Sequence, residues 1–145
     1  MFKPHAQCEE RKRSAVTLIK LLLVDRKPEV LSAHYRELLS ILLWKITEAE
    51  CSNKHQTRFQ SQGALDSGDK SKLRHDHVFQ RSKMIVALEK AAPQGVGDIL
   101  NTAVACTVTV EEHARLSQFD DEYGWERYRK AEITVIDTQT GKPLL

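Results

Sequence analysis

The stretch Leu73-Arg74-His75-Asp76-His77-Val78-Phe79 gathers three adjacent side chains that can ligate a metal or move a proton. A carboxylate between two imidazoles suits general acid–base work near neutral pH, or a mixed oxygen–nitrogen site for a divalent cation. Local geometry decides what can cooperate. In an extended segment His75 and His77 share one face and Asp76 takes the other. A turn at this point would instead let Asp76 and His77 converge on one site. A further imidazole, His113, follows Thr109-Val110-Glu111-Glu112, which reads as a capping box with Thr at the N-cap and Glu three residues on. Such a strand-to-helix junction holds its side chains rigidly. Taken singly, each feature has a plainer reading: a polar turn holding two histidines, and a histidine on a surface helix.

The elements that must position these residues can be read from spacing. Ala15 to Val24 predicts a helix ending at Asp25-Arg26-Lys27-Pro28, because proline disfavours helix in the residue before it. A second helix is expected from just after Pro28 to about Ala49, with Leu31, Tyr35, Leu38, Leu39, Leu42 and Ile46 on its apolar face. Leu43 and Trp44 widen that face. The two helices read as an antiparallel pair joined by a short turn. Polar and turn-forming residues dominate from Cys51 to Ser71, with a candidate short strand at Thr57-Arg58-Phe59. Leu73 to Phe79 reads as a short strand, and Met84 to Leu88 as a helix that stops by Pro93. Asp98 reads as the cap of a short turn through Ile99 and Leu100. Ala103 to Val110 is the strongest strand, rich in β-branched residues and free of Pro and Gly. His113 and Leu116 follow on a helix, Trp125 and Tyr128 on another, and Ile133 to Ile136 on a closing strand. Phe119, Trp125 and Tyr128 read as core. The fold class expected is α+β: an N-terminal helical region, 1–51, packed on an α+β core, 52–145, as one compact unit.

Within this order, Asp76-His77-Val78 resembles the Asp/Glu-His-Val/Ile opening of the HNH (ββα-metal, His-Me finger) endonucleases, and Glu112-His113 resembles their closing helical ligand. The resemblance covers roughly residues 72–117. It implies that Asp76 and His113 hold one divalent metal. On donor chemistry, one carboxylate with one or two imidazoles, His75 being the further candidate ligand, suits Mg, Mn, Ni or Zn. It implies that His77 is the general base on water and that Asn101 orients it. It also implies a small ββα-metal-like core and hydrolysis of DNA or RNA phosphodiesters. This sequence departs from the family pattern in three places. Gln80 stands where proline is usual, the span from His77 to Asn101 is long and contains a helix, and no CxxC pair is present.

Composition sets the outer limits. The chain has 145 residues, 41% hydrophobic and 29% charged, which excludes collagen-like, mucin-like or wholly disordered classes. Its net charge of +2 conceals an uneven distribution. Residues 1–51 carry 9 basic and 7 acidic side chains, residues 52–90 carry 8 and 4, and residues 91–145 carry 5 and 9. The basic middle supplies candidate phosphate contacts, Arg58, Lys72, Arg74, Arg81 and Lys83. Cys8, Cys51 and Cys106 are odd in number and widely spaced, which points to neither a disulfide framework nor a zinc knuckle. Gly95-Val96-Gly97 lacks the further glycine of a dinucleotide loop. Neither a membrane span nor a signal peptide is legible, so a soluble cytoplasmic protein is expected. The alternative to a nuclease is a non-enzymatic nucleic-acid- or protein-binding regulator with structural histidines. The N-terminal helices could then serve as an oligomer or partner interface.

Overall fold

The computed structural model describes residues 1–145. Seven helices and a five-stranded mixed sheet make an α+β protein. The helices are α1 (Cys8–Val24), α2 (Ser32–Glu48), α3 (Gln62–Asp66), α4 (Arg81–Lys90), α5 (Val96–Asn101), α6 (Val110–Leu116) and α7 (Trp125–Lys130). The strands are β1 (Phe59–Ser61), β2 (Leu73–His77), β3 (Ala105–Thr109), β4 (Val135–Asp137) and β5 (Lys142–Pro143). No helix is long and apolar enough to cross a membrane.

α1 begins seven residues before the expected Ala15. Its charged first turns lie on the solvent side, while Cys8, Ala15 and Ile19 share the buried face. α2 begins later than expected, because Pro28 to Val30 form a turn whose Lys27 N–H donates to the Tyr35 hydroxyl. Tyr35, Leu39, Leu43 and Ile46 are buried at helical spacing, and α1 and α2 pack together. Their core also takes Met84, Ile85 and Leu88 from α4 and Val96 and Leu100 from α5. The helices of 1–51 are therefore buried together with helices from 52–145. Leu18, Leu21, Leu38 and Ile41 remain outside, between 46 and 58% exposed.

The sheet order is β2-β3-β1-β4-β5. β1 runs parallel to β3, and every other neighbouring pair is antiparallel. A second core of Val78, Cys106, Val108, Leu116, Tyr128, Ala131, Ile133 and Val135 lies between sheet, α6 and α7. Phe79 packs against both cores. Gly124 starts α7 at φ +67°, and a Cβ there would sit 2.4 Å from the Phe79 ring, so glycine is needed on both counts. The three cysteines are free and buried, and burial pushes the Cys51 thiol up to about 12.

Arg58 joins β1 to β4 instead of projecting as a free cation. Its Nε and Nη2 donate to the two carboxylate oxygens of Asp137 at 3.0 and 2.7 Å. The guanidinium, with help from the Gln139 and Thr140 backbone, holds the Asp137 carboxyl down at about 2. A depressed folded pKa contributes stability that is complete above the unfolded value near 4 and disappears as pH falls through about 2. Asp137→Asn should therefore cost about 1 kcal/mol at pH 7, allowing for the partly exposed guanidinium. The gap between variant and wild type should close between pH 4 and pH 2 in denaturant melts. A gap unchanged over that range would contradict the assignment.

Candidate functional site

β2 is fully extended through His77, and this settles the geometry of the central cluster. Leu73, His75 and His77 face α2, while Arg74 and Asp76 start on the face covered by α6 and α7. β3 pairs antiparallel with β2 and runs directly into α6, giving a strand–strand–helix unit with α4 and α5 inserted between its strands. The Thr109 capping box forms as expected: its hydroxyl accepts from Glu112 N–H, and Glu112 accepts from Thr109 N–H. Glu112 also accepts from the buried Ser61 hydroxyl at 2.5 Å. A Cβ on Gly63 would lie 2.6 Å from its other oxygen. These contacts together lock the first turn of α6, and with it His113.

Asp76 is buried and bound from two helices. The Tyr128 hydroxyl and the Arg127 Nη2 both donate to its Oδ2 at 2.6 Å. Its Oδ1 faces His113 Nε2 at 3.5 Å. Burial raises the Asp76 carboxyl above its ordinary range, and Arg127, Tyr128 and His113 pull it back. Burial also pushes the Tyr128 hydroxyl well up. Arg127 further donates to the His77 carbonyl and pairs with Asp120 at 3.3 Å.

The opposite face holds the other two imidazoles. His75 Nδ1–H donates to the Lys54 carbonyl at 2.7 Å, so its Nε2 is left to accept from the Thr47 hydroxyl at 3.1 Å. Burial lowers its pKa, partly offset by the bond to Lys54. His77 lies against Trp44, ring centroids 4.9 Å apart, with Nε2 buried and unpartnered. Burial, then Arg81 and His75, drive its pKa down to about 3.

The expected constellation is therefore divided. Asp76 and His113 come together, whereas His75 and His77 lie across the sheet against α2. The reason is the β2–β3 ladder, which keeps the strand extended and excludes the turn that would bring Asp76 and His77 together. Asn101 ends α5, exposed, and no hydrogen bond joins it to either ring. No group of three or more His, Cys, Asp or Glu side chains could hold a metal. Among the expected phosphate contacts, Lys72 and Arg74 are exposed. Arg81 donates to the Ser40 carbonyl beneath the Trp44 ring, and Lys83 donates to the Asp120 and Glu122 carbonyls. Arg127 and Tyr128 are not legible in the sequence as site residues, since nothing in their spacing ties α7 to Asp76. No protein-family model, curated protein or solved structure matches the chain.

Removing Arg127 would take the buried guanidinium away from the Asp76 carboxylate and leave it only Tyr128 and His113. Arg127→Met should cost about 3–5 kcal/mol in denaturant melts, and adding Asp76→Asn should restore part of that loss. A loss below about 1 kcal/mol would show that the carboxylate does not depend on this partner.

Proposed function

We propose that this protein is a metal-dependent phosphodiesterase of DNA or RNA, using one divalent cation (Mg, Mn, Ni or Zn) between Asp76 and His113. The observation that carries this reading is the 3.5 Å separation of Asp76 Oδ1 and His113 Nε2. It is long for a hydrogen bond, yet close to the roughly 3.0–3.4 Å between two donors that each sit about 2.1 Å from one ion. The donor types fit, one carboxylate oxygen and one imidazole nitrogen, as does the opening to solvent, with His113 45% exposed. Tyr128 and Arg127 anchor Oδ2 and so orient Oδ1 toward His113, the usual service of groups behind a metal ligand. A cation held there supplies a Lewis acid for the phosphate and raises the acidity of neighbouring water. Arg127 offsets much of the carboxylate charge, so binding on this reading is weak and exchangeable. Removal of the water proton is not assigned to His77, whose ring lies on the other face against Trp44.

A second reading, a non-enzymatic nucleic-acid or protein binder, draws support from His75, both of whose ring nitrogens have protein partners. An oligomeric form would use the exposed Leu18, Leu21, Leu38 and Ile41. Incubating plasmid and single-stranded DNA or RNA with each cation separates the two. The nuclease reading expects cleavage that chelation abolishes and His113→Ala reduces by about 100-fold or more, with His77→Ala close to wild type per folded molecule. No cleavage with any cation, or loss in His77→Ala alone, would contradict it.

A further inference from the structure

At the free edge of β2 a cleft of about 400 Å³ opens on the face away from Asp76, lined by Trp44, Lys54, His55, Lys70, Arg74 and His75 among others. No carboxylate lines it. Lys54, Lys70 and Arg74 take part in no ion pair, unlike Arg58, Lys45 or Arg36 elsewhere. The acids nearby are engaged: Asp69 accepts from Ser71, and Glu48 accepts from Lys45 and Trp44. Three like charges around one concavity repel each other unless an anion enters.

The cleft is also built to hold its shape. The His75 Nδ1–H bond to the Lys54 carbonyl fastens the loop carrying Lys54 to β2. Arg74 starts on the Asp76 face but curls round the strand edge, donating to the Ser71 and Leu73 carbonyls. The Asp69 cap fixes the 3-10 turn that presents Lys70. His55 makes no side-chain hydrogen bond, and its Nδ1 is buried without a partner. Its pKa is lowered by burial first, and then by the neighbouring Lys54, His75, Arg74 and Lys70. Trp44 and Leu73 supply an apolar wall suited to a base or sugar.

We infer that this cleft binds the phosphate backbone of a single-stranded nucleic acid, through Lys54, Lys70, Arg74 and His55. It deepens the nuclease reading by giving the substrate strand a second hold at the edge of the sheet, and it requires no metal. His75 is then a positioning residue for the Lys54 loop and not a ligand.

The test is fluorescence anisotropy with labelled 20-nucleotide DNA and RNA strands in EDTA. Lys54→Glu/Lys70→Glu changes two exposed side chains, and Lys20→Glu/Lys90→Glu matches its change of net charge elsewhere on the surface. The cleft pair should weaken binding at least about tenfold and flatten the salt slope by about 1.4, while the control pair stays within about twofold. His113→Ala should bind like wild type, since the cleft needs no metal. Wild-type protein that binds the strands but fails to cleave them with any cation would count against the nuclease reading alone. The cleft assignment is overturned if wild type binds neither strand in low salt, or if the control pair loses as much affinity. It is also overturned if thymidine monophosphate binds as tightly as the 20-mer, which would mark a small-phosphate site.

Discussion

A carboxylate removed from water has to be compensated, and in this protein that requirement falls on Asp76. The residue lies near the end of the edge strand, and its partners come from two helices: His113 on α6, and Arg127 with Tyr128 on α7. Each partner must sit within a few ångströms of one oxygen or the other. This sets how both helices cross the sheet. Gly124 and Phe79 serve the same end, since α7 can begin where it does only because glycine tolerates the backbone angle and the ring contact. Phe79 in turn carries the constraint into the helical core.

The alternation of β2 then divides the labour between two faces. One carries the charged network around Asp76, with an imidazole reaching solvent. The other carries two imidazoles against Trp44: His75, buried and fastening a loop, and His77, half-buried with its Nε2 unpartnered. Four consecutive residues, Leu73 to Asp76, thus serve a candidate cation site and a candidate strand-binding cleft. They share a backbone and no side chain except Arg74, which starts on the first face and folds over the edge toward the second.

Features encoded locally are legible in the amino-acid sequence. The Thr109–Glu112 capping box, the β-branched strand that precedes it and the apolar face of α2 rest on neighbours within a few residues, where propensity and spacing speak directly. The pairing of Asp76 with His113 is legible through the resemblance, although Arg127 and Tyr128 as partners are not. Those contacts span more than 50 residues and depend on how α7 docks. Arg58 reads as a free cation in the sequence because Asp137 lies 79 residues away. The choice between an extended β2 and a turn cannot be made from the segment itself. It is decided by a five-residue register with β3, and that register separates His77 from Asp76.

The central claim, that Asp76 and His113 together hold a cation, is tested most directly by anomalous diffraction from crystals grown with manganese. One anomalous peak is expected about 2.0–2.3 Å from both Asp76 Oδ1 and His113 Nε2, with Tyr128 and Arg127 still on Oδ2. Saturating manganese with no peak there, and His113 still facing the carboxylate, would contradict the claim and leave the pair as part of a purely structural charge network.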